Sequence, residues 1–377
     1  MTARGPLSIL HVSQPSDGGV AGYVAEVAAD QARRGWQVKV ACPEYGQLAD
    51  VVAATGARHV RWTAKRAPGP GSLLDALRLR RILDEDRPDL VHLHSSKAGL
   101  AGRLAIRGRL PTIFQPHAWS FEAVRGPARL GALAWERRSA RWATVILCVS
   151  EAERRRGEEH GIEARWRVIP NGVDVDALRE ASAGDRSAAR RRLELGEGPT
   201  VVCVGRLCRQ KGQDVLLDAW PAVLARVPDA QLFLIGDGPD DEALRRRAGV
   251  GVSFVGRRAD VPDWLAAADV VAAPSRWEGM SVAMLEAMAR GRSVVATEVP
   301  GAEEAIDADA GAVVPPEQPA ALAGAIAERL LDPARTEAEG RTARRRAERL
   351  HDLRAAAAAV AELSEELLSS STGLTTP

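Results

Sequence analysis

The chain is predicted to fold as two α/β domains, each a parallel sheet flanked by helices. Short apolar, strand-like runs alternate with helix-length segments from one end to the other. The 377 residues exceed what a single hydrophobic core organises, so two domains of roughly 150 to 200 residues are expected. Apolar residues make up 46% and charged residues 27%, ordinary globular values that leave each half able to bury a core.

In the first half the strand-like runs are Ser8–Gln14, Gln37–Pro43, Ala57–Trp62, Asp89–Ser95, Thr112–His117, Thr144–Ser150 and Trp166–Asn171, separated by segments such as Ala21–Arg34 and Leu73–Asp84. In the second half they are Thr200–Arg206, Gln231–Gly236, Val252–Gly256, Asp269–Pro274, Ser293–Val299 and Gly311–Pro315. Ala177–Gly198, polar and rich in Arg and Glu, reads as the linker, part of it helical, with domain limits at residues 1–175 and 176–350. Beyond Pro333 the chain turns charged and alanine-rich, as helices do, and the tail Ser369–Pro377 is expected to be disordered.

Composition excludes several functions. With 51 basic against 50 acidic residues there is no case for a bulk polyanion partner, and no nucleic-acid module is evident. Cys42, Cys148, Cys203 and Cys208 form no Cys-x-x-Cys, and three sit in or beside strand-like runs, so reduced thiols in the cytosol are expected rather than disulfides or metal ligands. No apolar run reaches the ~18 residues of a spanning helix. The apolar stretch after Pro6 is too short for a leader and reads as a first strand, and a cytoplasmic location is expected.

Chemistry concentrates between Pro274 and Glu286. Glu278 falls in a loop, Glu286 lies eight residues on in a helix, and the helix start between them offers amides around Gly279, Met280, Ser281 and Val282 to a diphosphate. Glu278 is then free for sugar hydroxyls and Glu286 for the paired hydroxyls of a ribose. Taken alone, two such glutamates are solvated side chains flanking a helix. Upstream, however, the strand Val201–Val204 leads through Gly205 to Arg206 and Lys211, two cations after a strand. In an open α/β sheet, ligands bind outside the carboxyl ends of strands, so both loops belong to one crevice. There Arg206 and Lys211 neutralise a leaving diphosphate.

In this arrangement the sequence resembles the retaining GT-B glycosyltransferases of family four over nearly its whole length. The resemblance rests on Asp17-Gly18-Gly19-Val20, His94 to Leu100, Pro116-His117, Cys148 to Glu151, Ile169 to Asp174, Gly205-Arg206-Leu207 with Lys211-Gly212, Gly236 to Pro239, and Glu278 to Glu286. It implies two Rossmann-like domains facing a cleft, with a last helix, residues 351–368, crossing back to the first. Gly18 and Gly19, which with Gly22 stand where a dinucleotide fingerprint is absent, are implied to approach the donor diphosphate and the acceptor.

His117 is implied to lie beside the donor sugar, as a hydrogen-bond donor rather than a nucleophile. His94 and Lys97 are comparable strand-end residues, while Asn171 and Asp174 read as turn and cap residues. The implied reaction uses a nucleoside-diphosphate sugar, UDP-linked by preference. Attack on the front face retains configuration, with His117, Glu278, Arg206 and Lys211 as the catalytic set.

No cofactor is implied, and no metal: no Asp-x-Asp is read at a strand end, and Asp84-Glu85-Asp86 lies at a helix end. Two other classes compete. A UDP-sugar 2-epimerase needs a pair of acid–base carboxylates that is not evident, and a silent sugar-nucleotide sensor would lack Glu278 or His117.

The acceptor is hinted at by charge. Between Arg58 and Arg141 there are 17 Lys or Arg against seven Asp or Glu, and Trp119, Trp135 and Trp142 lie among Arg125, Arg129, Arg137, Arg138 and Arg141. That mixture suits the interface of an anionic bilayer, and so a lipid-linked acceptor met peripherally at the inner face of the membrane. A soluble natural-product acceptor, of aminoglycoside type, is the alternative, with the arginines a solvated face and the tryptophans in the core.

Overall fold

The computed structural model describes residues 6–65, 69 and 71–372. The chain forms two compact units, Met1–Asn171 with Leu353–Pro377, and Gly172–Asp352.

The first unit carries seven parallel strands: β1 (Ser8–Ser13), β2 (Gln37–Cys42), β3 (Arg58–Arg61), β4 (Leu90–His94), β5 (Thr112–Gln115), β6 (Val145–Cys148) and β7 (Trp166–Val168). They lie in the order β3-β2-β1-β4-β5-β6-β7. Side chains alternate between faces because the strand period is two. Ile9, Val38, Leu90 and Ile113 pack in one core with the helix Gly19–Arg33. Leu10, Val91, Leu93 and Phe114 pack on the other face with the helices Ser72–Asp86 and Ser95–Ile106. Burial on both faces is why these strands read as continuous apolar runs.

The second unit repeats the plan with β8 (Thr200–Val204), β9 (Gln231–Ile235), β10 (Val252–Gly256), β11 (Val270–Ala273), β12 (Ser293–Thr297) and β13 (Gly311–Val314), all parallel. Their order is β10-β9-β8-β11-β12-β13. Every strand falls within the run predicted for it. In each sheet the strand order reverses beside the first strand, between β1 and β4 and between β8 and β11. Loops that diverge there open a crevice at the carboxyl ends.

The last helix, Leu353–Thr372, returns to the first unit. Ala357, Val360, Leu363, Leu367 and Leu368 recur at helical spacing and join the core beneath Gly19–Arg33. Contrary to the expectation of a disordered tail from Ser369, this helix continues through Thr372, with the Ser369 and Ser370 hydroxyls donating to the Glu365 and Glu366 carbonyls. Residues 373–377 lie outside the described residues, as do 1–5.

The linker also lies elsewhere. The chain leaves the first unit at Asn171, and Val173 N–H donates to the His351 carbonyl at 2.9 Å, pairing the outgoing strand with the returning one. Asp174 caps the turn that follows, accepting from the amides of Asp176 and Ala177. Residues 177–198 belong to the second unit. The helix Ala183–Arg192 starts from a Ser182/Asp185 capping box, and Arg186 and Arg190 both pair with Asp269 at the head of β11. The arginines that made this segment look solvated are what fasten it.

A buried ion pair was not legible in sequence. Arg103 Nη2 lies 2.8 Å from Glu136 Oε2, both side chains essentially inaccessible, and Ser120 donates to the other carboxylate oxygen. Breaking one side of such a pair strands a buried charge. Glu136→Ala is therefore expected to lower unfolding stability by about 3–5 kcal/mol in urea titrations.

Candidate active site

In the second unit the loops after β8 and β11 meet. The chain leaves β8 at Gly205, passes the exposed Arg206, and turns through Arg209–Lys211 to Gly212, from which the helix Gln213–Arg226 begins. Gly212 has φ 67°, and a Cβ there would lie 2.0 Å from the Pro274 carbonyl oxygen, so glycine is what lets the two loops touch. Arg276 N–H donates to the Gln210 carbonyl at 2.7 Å, and Gln210 Nε2 to the Trp277 carbonyl at 3.0 Å. The Arg276 guanidinium spans both Asp214 oxygens, at 2.7 and 2.8 Å. Its hydrogen bonds to that carboxylate hold it above the usual arginine range. Sequence reasoning missed this clamp, whose partners lie 62 residues apart.

Within the clamped loops Lys211 Nζ lies 2.5 Å from Glu278 Oε1, which also accepts from Ser275 Oγ at 3.0 Å. Burial alone would lower the Lys211 ammonium, but the adjacent Glu278 charge and hydrogen bond outweigh it and hold the group above its ordinary value. Phosphate clamp and sugar-hydroxyl acceptor, assigned separate jobs by sequence, are thus paired with each other. Any anion reaching Lys211 competes with Glu278.

Glu286 follows in the helix Val282–Ala289. It is half-buried; that burial pushes its carboxyl up to about 7, with the Lys211 charge pulling the other way. Ser281 opens this helix in an extended conformation with no side-chain hydrogen bond to the first turn. Gly279, Met280 and Ser281 are buried, and Val282 partly so. Arg206 stands apart: its guanidinium makes no hydrogen bond or ion pair among the described residues.

In the first unit Gly18 and Gly19 are exposed, and Gly18 caps the start of Gly19–Arg33 at φ 77° with open space where a side chain would be. Lys97 is committed to structure: its ammonium lies 2.8 Å from Asp75 Oδ2 and also donates to Ser72, tying two helices together. His94 ends β4, His117 lies two residues beyond the neighbouring β5, and the two rings stack at 5.6 Å. Positive-φ backbone falls at His117 and just after His94. His117 itself has φ 58°, and Ser95, next to His94, has φ 75°, a region that non-glycine residues adopt where surrounding structure enforces it.

Behind them lie His11, His92 and Gln115 on β1, β4 and β5, with Gln31 and Tyr23 from the helix Gly19–Arg33, all buried and none singled out in sequence. The signal was there. His92 and His94 alternate on β4 and therefore share a face, and His11 pairs with His92 in register. Ligand atoms of His11, His92 and His94 lie within 4.8 Å of one another.

Of the tryptophans placed at a membrane face, Trp119 is in the core, and Trp135 and Trp142 are half-buried against each other at 5.9 Å. Arg125, Arg137, Arg138 and Arg141 are exposed, with Leu130 exposed among them. Among the described residues no helix is long and apolar enough to cross a membrane. Cys42, Cys148 and Cys203 are buried free thiols and Cys208 is half-buried.

Two parallel sheets, each reversing order at its first strand, with a lysine–glutamate pair and a helix start at the second switch point, are the arrangement expected of a glycosyltransferase. The second half matches the family model of group 1 glycosyl transferases over residues 198–332, and the first half that of glycosyltransferase family 4 over residues 17–177. The chain is 33% identical over 352 residues to a GDP-mannose-dependent alpha-(1-6)-phosphatidylinositol monomannoside mannosyltransferase of Mycobacterium tuberculosis, covering 88% of this chain and 90% of that one. It is 28% identical over 286 residues to the UDP-Gal:alpha-D-GlcNAc-diphosphoundecaprenol alpha-1,3-galactosyltransferase of Escherichia coli, covering 71% and 72%. Among solved structures it is similar to Anabaena HepE in complex with UDP and glucose, with TM-score 0.82, 25% identity, and 95% and 99% of the two chains covered. The chain belongs to the family 4 glycosyltransferases and has the GT-B fold.

Proposed function

We propose that this enzyme transfers a hexose from a nucleoside-diphosphate sugar to a hydroxyl of a lipid-linked acceptor, with retention and without a metal. The observation that carries the reading is the Lys211–Glu278 pair, held at the carboxyl ends of adjacent strands ahead of the helix Val282–Ala289. A donor diphosphate draws Lys211 from Glu278 and meets Arg206 and the helix start, while Glu278 turns to the sugar hydroxyls. The C1–O bond to the diphosphate then breaks, the acceptor oxygen bonds to C1 from the same face, and its proton passes to a donor phosphate oxygen. The protein's part is charge: two cations and a helix dipole offset what accumulates on the leaving diphosphate.

GDP-mannose stands ahead of the UDP sugars favoured by sequence alone, because relatives at 33% identity over most of the chain are named for it, and a relative named for UDP-Gal is at 28%. Both kinds of relative are named for lipid-linked acceptors. The test is a donor panel of GDP-mannose, UDP-glucose, UDP-galactose and UDP-N-acetylglucosamine, presented with vesicles containing phosphatidylinositol monomannoside. Product mass and anomeric configuration are read out, with and without EDTA. Inverted product, or activity abolished by EDTA and restored by magnesium or manganese, defeats those parts of the reading.

The same vesicles, made with anionic lipid, are expected to sediment the enzyme at low salt and release it at high salt, since each basic residue near the surface contributes ~1 kcal/mol. Arg125, Arg138 and Arg141 replaced together by glutamine should abolish that binding. Protein that stays in the supernatant at low salt points to a soluble acceptor.

Glu286 gives a pH signature. Its folded pKa of about 7 lies above its ordinary 4.5, so its contribution to stability is complete below about 4.5 and is lost as pH rises through 7. Accepting from both hydroxyls of a ribose diol at once instead favours the ionised form, whose two oxygens only accept. Donor Kd is therefore expected to fall on the order of tenfold between pH 6 and 8, and Glu286→Gln to flatten that dependence in calorimetric titrations.

A further inference from the structure

Gln31, His11, His94 and His117 form one continuous row of side chains. His11 Nε2 lies 2.7 Å from Gln31 Oε1, His11 Nδ1 lies 3.0 Å from His94 Nε2, and His94 Nδ1 lies 3.3 Å from His117 Nε2. The row ends at both sides on a buried atom without a partner, Gln31 Nε2 and His117 Nδ1. His92 lies alongside, stacked on His94 at 3.9 Å and bonded through Nε2 to Gln115, which donates in turn to the Tyr23 hydroxyl. These bonds occupy both nitrogens of His11 and of His94, so a cation at the cluster would find only His92 Nδ1 unengaged. The arrangement is a hydrogen-bonded array, not a metal site.

Burial holds His11 down to about 4 and His117 to about 3, with His92 and His94 also well below the ordinary value. Burial thus favours the neutral form along the whole row. A neutral imidazole has one N–H and one lone pair, so the role of one nitrogen dictates that of the other. Gln31 Oε1 only accepts; His11 therefore carries its proton on Nε2 and offers a lone pair at Nδ1. His94 must then donate from Nε2 and accept at Nδ1, and His117 must donate from Nε2. Turning the Gln31 amide over would reverse every bond and leave His117 with an N–H at Nδ1.

We propose that Gln31, His11 and His94 are positioning residues that fix His117 as its Nε2–H tautomer, so that its Nδ1 lone pair accepts a hydrogen bond from a hydroxyl of the bound sugar. The proposal rests on the reading of His117 as a sugar-contacting residue and reverses the direction that sequence implied for it. The unpartnered Nδ1 leaves the protein with an acceptor that a ligand hydroxyl can satisfy. The strained backbone at His117, φ 58°, fixes where the ring stands, and the row fixes what it presents.

The experiment is long-range proton–nitrogen correlation on the full-length protein labelled with 15N-histidine. It reports which nitrogen of each ring is protonated, and the His117 signal is identified by its loss in His117→Ala. The wild type is expected to show His117 protonated at Nε2. Gln31→Leu should show both His117 tautomers and lose about tenfold in kcat, the scale of effect seen when an orienting partner is removed.

A wild-type His117 protonated at Nδ1 overturns the proposal, as does an unmixed Nε2–H tautomer in a folded Gln31→Leu. If Gln31→Leu does not fold, the wild-type spectrum decides the direction alone. Undiminished donor hydrolysis in His117→Ala sinks the reading of His117 beneath the proposal, a result separate from the tautomer spectrum.

Discussion

Lys211→Ala is expected to slow transfer by roughly 10²–10³-fold, the largest effect of any single substitution outside the core. The ammonium stands 2.5 Å from Glu278 in a loop clamped by Arg276, so its position is set before any ligand arrives. Its removal costs twice. The leaving diphosphate loses a preorganised cation, and Glu278, 7% exposed, loses the charge that balances it. Lys211→Arg keeps the charge but not the geometry and should recover only part of the rate. Arg206→Ala is expected to cost roughly 10² in kcat with little change in stability, because Arg206 is exposed and holds nothing else in place. Single-turnover rates beside urea midpoints separate the two. A Lys211→Ala enzyme within about threefold of wild type would remove the charge argument altogether.

Glu278→Gln is expected to lower kcat by about 10² while leaving donor Kd within a factor of a few, because its contact with the sugar is made only after Lys211 has turned to the diphosphate. Glu286→Ala should do the reverse and weaken donor binding with a smaller change in turnover. The structure adds a consequence that spacing did not contain. Without the Glu278 charge, Lys211 is no longer neutralised in the empty enzyme, so an inorganic diphosphate should bind Glu278→Gln more tightly than wild type. Calorimetry with diphosphate alone checks this, and equal affinities would mean that the pair is not broken on binding.

The architecture was legible because its signals are local. Strands such as Thr200–Val204 and Gln231–Ile235 carry continuous apolar runs that must be buried on both faces, and that demand shows in four consecutive residues. The switch-point loops were legible as well, since glycine and cations immediately after a strand are also a local pattern. Where local reading failed, charge misled it. Residues 177–198 looked like a solvated linker because their arginines have partners, Asp269 and Asp263, more than 70 residues away. Trp119 looked like part of a surface because it stands in an arginine-rich segment, yet it is 1% exposed.

By itself the sequence determined two parallel α/β units, the loops that carry chemistry, and the residue types on them: Arg206, Lys211, Glu278, Glu286 and His117. Only tertiary structure decided how those residues are engaged. Lys211 meets Glu278 because β8 and β11 are neighbours, and His11 meets His94 across 83 residues because β1 and β4 are. Strand order is a property of the whole chain, fixed by which crossovers bury the most apolar surface. A strand's period of two says which face a side chain takes, and only its neighbours say what it finds there.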